Sequence, residues 1–370
     1  MGASPNGRLL AFDQINGDVL LRDSRSLRLL RTLHPGAGGA NTLAFSPDSR
    51  LLATETHLGA GQTCHGAEVA LWDVGTGAML GRLPIPASAL ARVSNTGQFG
   101  PGGLCADVEA LAFSPNGRLL AGGFDTGDAF LWNVQSRRLE TSFLAGPNTF
   151  GVAFSPDGRS LAVAEGSDTA VWRLADRRKL YSVNVDDGFG HSKALAFSPD
   201  GRLLATGGGN GVVKLWDART GRAVRHSTVT IQCALNFLQF SADGRSLLES
   251  ACDGNARLFD ASTLGEIGTP FQGPAKVQGT DAVFSVNGRR IIVAYDTGQA
   301  YVWDDTPADW ERQACTVAGR NLKRDEWRFF LPDRSYHAVC PRLAVQHPRG
   351  QSSSLEKPHA DRHSEWPTYV

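Results

Sequence analysis

A short turn sequence recurs along the chain and constrains its fold more than any other feature. Its fullest copy reads Phe197-Ser198-Pro199-Asp200-Gly201, in which proline presets φ at the second turn position and glycine takes a positive φ without a Cβ clash. Such turns join antiparallel strands. Successive copies begin 42, 68, 41, 43, 43 and 44 residues apart. The seven copies begin at Ala3, Phe45, Phe113, Phe154, Phe197, Phe240 and Phe284.

Each copy continues as a small antiparallel meander. After the turn come a short apolar run (residues 203–205), a glycine-rich second turn and an alternating strand (residues 213–215). One meander cannot bury its faces alone, and a period of about 40–45 residues with four short strands predicts a seven-bladed propeller. The third strand ends in an aromatic residue in six copies, and we expect these residues to be structural: Trp72, Trp132, Trp172, Trp216, Phe259 and Trp303.

With these repeats, residues 1 to about 304 resemble the WD40-repeat family of β-propellers. The resemblance implies an all-β, seven-bladed propeller, and it says little about activity because propellers host unrelated functions. The family's Gly-His pair before the inner strand is mostly missing here, and only Gly190-His191 comes near. We therefore expect the family's Asp-His-Ser-Trp hydrogen-bond network to be incomplete and the blades to be held mainly by apolar packing.

Composition narrows the class of protein. The 370 residues are 41% hydrophobic, which is enough for a large core. Lys+Arg and Asp+Glu both number 37, and this balance argues against a nucleic acid or an acidic membrane surface as partner. No apolar run approaches the length of a membrane span, and the start of the chain predicts no signal peptide. Six cysteines without pair spacing indicate a reducing compartment, so we expect a soluble cytoplasmic protein.

The second copy departs from the even period. It carries two insertions, near residues 54–67 and 84–108. Loops of a meander alternate between its two ends, so both insertions should rise side by side from one face of the propeller. Loops that a scaffold does not need often carry function, although a passive insertion is the rival interpretation. The candidate partner-binding residues are His57, Leu58, His65, Ile85, Arg92, Gln98 and Phe99.

Catalytic and metal-binding patterns are weak in the insertions. His57, Cys64, His65 and Cys105 are zinc-ligand types, but their spacing matches no known zinc pattern, and exposed histidines and reduced thiols are the alternative. Glu55, Asp107 and Glu109 are possible acids or bases, with a solvated polar rim as the rival interpretation. No phosphate-binding loop, H-E-x-x-H or G-x-S-x-G motif occurs. We predict no cofactor, no metal, no catalysis and no ATP hydrolysis.

The pattern changes after Asp304. Residues 308–317 and 323–331 are predicted to form short helices of a C-terminal cap over 305–341, and residues 342–370 have the composition of a disordered tail. Residues 312–341 resemble the segment that closes WD40 propellers in actinobacterial STAND-type NTPase proteins. The first copy has only residues 1–3 in place of a full inner strand. Either the C-terminal segment closes the ring, or the chain is one piece of a longer ancestor.

These observations favour a non-catalytic scaffold for protein interaction or ligand sensing. It resembles the WD40 module of bacterial STAND-type signalling proteins, with a protein or peptide partner and with an NTPase or effector domain encoded nearby. An enzyme propeller with a site on the insertion-bearing face, and a decayed fragment of a larger signalling protein, remain the alternatives.

Overall fold

The computed structural model describes residues 1–14, 16–36, 42–57, 67–86, 107–144, 149–185, 194–227, 231, 233–272, 280–285, 290–295, 300–304, 321 and 323. Within these residues the chain forms strands and turns, and no helix there is long and apolar enough to cross a membrane. The chain divides into two compact units, Met1–Val302 and Trp303–Val370. The predicted helical cap and tail lie outside the described residues, apart from Asn321 and Lys323.

Seven antiparallel sheets make up the described fold, each built from consecutive strands, and the predicted seven-bladed propeller is confirmed. Blade 1 contains β1 (Gly2–Ala3), β2 (Leu9–Asp13), β3 (Val19–Asp23) and β4 (Leu29–Leu33). Blade 2 contains β5 (Leu43–Phe45), β6 (Leu51–His57), β7 (Ala67–Asp73) and β8 (Met79–Leu83). Blade 3 contains β9 (Val108–Phe113), β10 (Leu119–Phe124), β11 (Asp128–Asn133) and β12 (Arg138–Leu144).

The remaining blades repeat this order. Blade 4 contains β13 (Thr149–Phe154), β14 (Ser160–Glu165), β15 (Asp168–Arg173) and β16 (Arg178–Asn184). Blade 5 contains β17 (Leu195–Phe197), β18 (Leu203–Gly207), β19 (Val213–Asp217) and β20 (Ala223–His226). Blade 6 contains β21 (Leu235–Phe240), β22 (Ser246–Ala251), β23 (Asn255–Asp260) and β24 (Phe271–Gln272), and blade 7 contains β25 (Thr280–Phe284), β26 (Arg290–Tyr295) and β27 (Ala300–Asp304).

The repeated turn closes through its own side chains. In blade 5, Gly201 has φ +70° and its N–H donates to the Ser198 carbonyl at 2.8 Å. The Ser198 hydroxyl donates to Asp200 at 2.6 Å and accepts from the Leu203 N–H at 2.9 Å. The turns of successive blades also touch, since Gly201 lies beside Pro156 and Gly244 lies beside Pro199. The turn motifs therefore share one end of the propeller, which we call the turn end; the opposite end is the loop end.

Five of the six aromatic residues that end the third strands pack between blades. Trp72 contacts a buried cluster of blade 1, and Trp132, which is fully buried, contacts blade 2. Trp216 packs against blade 4, and Phe259 packs against blade 5. Trp172 is half-buried, with its ring centroid 5.3 Å from that of Phe143 in blade 3. Trp303 is half-buried.

Parts of the family's polar network are present in the described blades. The Trp72 Nε1–H donates to Thr54 Oγ1 at 2.9 Å, and the Trp216 Nε1–H donates to Thr206 at 2.8 Å. In blade 1, His34 Nδ1 lies 2.6 Å from Asp18 Oδ1, although leucine replaces the usual glycine before this histidine. An apolar cluster of Leu10 with residues of blade 7 joins the first and last blades, which closes the ring.

One cysteine pair corrects the expectation of unpaired thiols. Cys233 and Cys252 form a disulfide in blade 6, with their Cα atoms 5.8 Å apart. They flank the antiparallel strands β21 and β22, and this pairing brings together residues that are 19 positions apart. Sequence spacing does not show such a pair, because strand register decides it.

We predict that thiol titration of the unfolded, unreduced protein detects fewer reactive thiols than the six cysteines provide. A reductant should restore the full number and lower the melting temperature, because a disulfide that closes a loop of this length contributes roughly 3 kcal/mol. Cys252→Ser should melt like the reduced protein. Six reactive thiols before reduction would contradict the pairing.

Candidate functional site

The two insertions begin and end on strands of the loop end. β6 and β7 pair as far as His57 and Ala67, whereas the matching hairpin of blade 5 ends at Gly207 and Val213. Residues 54–57 and 67, which the sequence placed within the first insertion, therefore belong to the sheet of blade 2, where residues 56–57 and 67–68 lengthen the hairpin beyond that of blade 5. Residues 58–66 and 87–106 lie outside the described residues.

Two buried side chains fix the end of β6 to its surroundings. Glu55 has no exposed surface, and its Oε1 accepts the Val108 N–H at 2.8 Å. Val108 is the first residue of β9, so this bond joins blade 2 to blade 3. The Thr56 hydroxyl donates to the Pro35 carbonyl at 2.6 Å, which ties the same strand end to the connection from blade 1.

The second connection starts from an equally fixed position. The Trp132 Nε1–H donates to the Pro84 carbonyl at 2.8 Å. Ile85 is partly buried against the core cluster that contains Leu83 and Trp132. The first residues after β8 are thus held by blade 3 and by the core between blades 2 and 3.

An acidic pair holds the far end of this connection. The Asp107 N–H donates to Asp125 Oδ1 at 3.0 Å, and the Asp125 N–H donates to the Asp107 carbonyl at 3.2 Å. Burial, with the charges of Asp107 and Glu109, raises the pKa of Asp125 to about 7. The base of the second insertion therefore carries negative charge that increases as pH rises past neutrality.

The sequence-predicted site residues have different fates. His57 lies at the end of β6, and Ile85 contacts the core, while Leu58, His65, Arg92, Gln98 and Phe99 lie outside the described residues. Cys64 and Cys105 also lie outside the described residues, so the zinc hypothesis stays a prediction. The interpretation of Glu55 as part of a solvated polar rim is wrong, because this carboxylate is buried against the next blade.

Sequence reasoning missed the anchoring roles of Thr56 and Trp132. Thr56 lies in an otherwise polar stretch, and its partner is a backbone carbonyl that no sequence motif marks. Trp132 was recognised as a packing residue, but its bond to Pro84 depends on how two blades meet. The acidic residue Glu55 within a strand was the one sequence feature that could have indicated an anchored insertion.

We predict that Asp125→Asn stabilises the protein at alkaline pH. A carboxyl whose folded pKa of about 7 exceeds its ordinary value of 3.8 stabilises the fold below the lower pKa, and this contribution is lost as pH rises through the upper one. Asparagine keeps the acceptor for the Asp107 N–H and cannot ionise. The melting temperature of the variant relative to the wild type should therefore rise between about pH 4 and about pH 8 and stay level above that.

Asp200→Asn is the matched control for this titration. The Ser198 hydroxyl lowers the pKa of Asp200, so removing that charge should cost stability above the folded pKa and gain nothing at alkaline pH. A flat difference between Asp125→Asn and the wild type across the same range would contradict the acidic pair.

Known proteins resemble this chain in its repeats. The family model "WD domain, G-beta repeat" matches residues 101–133 and 185–217, each ending at a Trp-Asp or Trp-Asn pair. "WD repeat-containing protein SL1-17" of Schistosoma mansoni is 31% identical over 160 residues, which is 43% of this chain and 44% of that protein. "Guanine nucleotide-binding protein subunit beta" of Oryza sativa subsp. japonica is 27% identical over 186 residues, 48% of this chain and 43% of that protein.

The matches span less than half the length of either relative. The two family-model matches fall on the repeated unit that forms the blades and end at its third strand. The family model and both relatives support the WD40-repeat family for this seven-bladed propeller.

Proposed function

We propose that this protein is a non-catalytic scaffold that binds a protein or peptide partner at the loop end of blades 2 and 3. WD40 propellers generally mediate protein–protein interaction, and one relative is by its name a subunit of a larger protein. The observation that carries the proposal is the fixed base of the insertions. Glu55, Trp132 and Asp125 hold the ends of the long connections from three sides.

Because the ends of both insertions are anchored to the propeller, the insertions are attached as binding loops usually are. Binding sites are often loops that a rigid scaffold positions. A passive insertion needs no buried carboxylate that bonds to the next blade, since a buried charge is costly unless it is hydrogen-bonded.

Loop shortening tests the proposal. In the variant, an Asn-Gly turn joins His57 to Ala67, and a linker as short as residues 145–148 replaces residues 87–106. The anchors Glu55, Pro84 and Asp107 stay in place, so the melting temperature should stay near that of the wild type. Proteins captured from the native cell extract by the wild type should be absent from the variant capture. An unchanged set of captured proteins would contradict the proposal.

We further propose a bacterial signalling context. The resemblance of residues 312–341 to the propeller end of STAND-type proteins supports it, and an NTPase or effector encoded nearby is the expected partner. Capture from the native host at endogenous expression, followed by mass spectrometry, tests this. Recovery of a protein with a phosphate-binding loop from a neighbouring gene supports the context, and recovery of partners without any such domain contradicts it.

A further inference from the structure

An open groove of about 720 Å³ lies at the turn end between blades 2 and 3, away from the insertions. Leu51, Leu71 and Val134 line its apolar part, and Leu80 borders it with 42% of its surface exposed. No acidic residue is among the residues that line it. Two exposed arginines, Arg118 and Arg137, supply its charge.

A glycine leaves room for an arginine side chain at the edge of this groove. Gly81 pairs with Leu71 across β7 and β8, and Tyr181 has the same place in blade 4, where it pairs with Val171. The Tyr181 ring packs against Gly221 of blade 5, and its hydroxyl, 2.5 Å from the Ala218 carbonyl, donates to it. The aromatic ring therefore occupies the junction of blades 4 and 5, whereas at the junction of blades 2 and 3 the Arg137 side chain lies over Gly81 and donates to the Leu80 carbonyl.

The charge of the groove also departs from the repeat. The first turn of blade 5 has Asp200, whose Oδ2 lies 3.8 Å from the Arg202 Nε, and its third strand ends in Asp217. Blade 3 has asparagine at both places, Asn116 and Asn133.

These asparagines make the same local hydrogen bonds as the aspartates of blade 5. Asn116 accepts the Arg118 N–H at 3.0 Å, as Asp200 accepts the Arg202 N–H at 3.0 Å. Asn133 accepts the Ser136 N–H at 2.9 Å, as Asp217 accepts the Thr220 N–H at 2.8 Å. Blade 3 thus keeps the turn geometry and lacks the two carboxylates that offset arginine in blade 5.

We propose that this groove binds a protein segment in which an acidic residue stands beside a large aliphatic one. Guanidinium groups bind carboxylates through paired hydrogen bonds, and here they border an apolar floor that suits a leucine or isoleucine side chain. The surface is separate from the loop-end site and adds a second contact to the scaffold. A nucleic acid fits the groove less well, since its phosphates need a longer track of cations than two arginines beside leucines.

Fluorescence anisotropy with defined probes tests the proposal. The probe is a labelled peptide of alternating glutamate and leucine, and the reference peptide has glutamine in place of each glutamate. Labelled single-stranded oligothymidine tests for general polyanion binding. The central variant is Asn116→Asp/Asn133→Asp, which introduces the carboxylates that blade 5 has at these places and keeps the acceptors for the Arg118 and Ser136 N–H groups. Arg118→Glu is a second variant, and Arg202→Glu is its control on blade 5.

The wild type should bind the glutamate peptide about tenfold more tightly than the glutamine peptide, with an affinity that falls as salt rises. Asn116→Asp/Asn133→Asp and Arg118→Glu should each weaken binding by a similar factor, and Arg202→Glu should not. Leu80→Ser should weaken binding, whereas Leu180→Ser, at the matching exposed position of blade 4, should leave it unchanged.

Three results would overturn the proposal. One is equal binding by the Asn116→Asp/Asn133→Asp variant when its melting temperature equals that of the wild type. Another is oligothymidine binding as tight as peptide binding, and the third is no peptide binding by the wild type. The loop-shortened protein should retain the peptide affinity, so failure of the loop-end function and failure of this groove are separable.

Discussion

Trp216→Ala is expected to lower the free energy of unfolding by roughly 3–5 kcal/mol. Only 9% of the Trp216 surface is exposed, and the ring lies in a cluster with Ala162, Val171 and Val183 of blade 4. Truncation removes this contact between two blades and leaves a cavity that rigid sheets cannot close. It also removes the indole N–H that donates a hydrogen bond to the Thr206 hydroxyl at 2.8 Å. Urea unfolding followed by circular dichroism measures the loss.

Trp216→Phe is the control that separates packing from hydrogen bonding. Blade 6 already has Phe259 at this place, fully buried, so a benzene ring is compatible with the blade geometry. We expect this variant to lose only about 1–2 kcal/mol, for the missing hydrogen bond and the smaller ring. A Trp216→Ala protein that unfolds at the urea concentration of the wild type would show that the blades do not depend on these residues.

Above about pH 8, Arg257→Met is expected to cost about 3–5 kcal/mol, since it leaves a buried carboxylate without its cation. Glu249 has no exposed surface, and its Oε1 accepts a hydrogen bond from Arg257 Nη1 at 3.0 Å. Arg257 also binds Asp253 through Nη2 at 2.5 Å. Methionine retains much of the side-chain volume and removes the charge, so the change isolates the electrostatic contribution.

The same variant should show a specific pH dependence. Burial raises the pKa of Glu249 to about 8 even with Arg257 beside it. A carboxyl with a raised folded pKa favours the fold while it is protonated, and this contribution is lost as pH rises through the folded pKa. Without Arg257, the ionised form of Glu249 destabilises the folded state still more. The stability deficit of Arg257→Met should therefore be smallest in acid and largest above about pH 8.

A double variant provides the control for the buried pair. Blade 4 has Val163 and Ala170 at the matching positions, both fully buried. Glu249→Val/Arg257→Ala should therefore recover most of the stability that Arg257→Met loses, because neither charge remains buried. A cost below about 1 kcal/mol for Arg257→Met, or a deficit that does not vary with pH, would contradict the electrostatic account.

The sequence predicted those parts of the fold that repeat. Pro199 and Gly201 define a turn locally, and copies of that turn at an even period require blades whichever residues surround them. The aromatic residue at Trp216 could be assigned for the same reason. Contacts that arise once in the ring were not predictable. Glu249 meets Arg257, and Cys233 meets Cys252, only because of the register of neighbouring strands.

The candidate site was likewise predictable in its position and not in its contacts. The broken period located both insertions, since an extra length of chain is visible without any structure. Their attachment was not visible, because Glu55 binds a backbone N–H on the next blade and Trp132 binds a carbonyl 48 residues away in sequence. Both partners are main-chain groups, which every residue carries and which no side-chain pattern marks.

Site-specific photo-cross-linking tests the central claim, that the loop end of blades 2 and 3 binds a protein partner. A photoreactive phenylalanine analogue replaces Pro86, which leads into the second insertion, or Gly209, in the second turn of blade 5 at the same end of the propeller. After irradiation in the native extract, Pro86 should yield a discrete protein adduct and Gly209 should not. Adducts from Gly209 with none from Pro86 would contradict the claim.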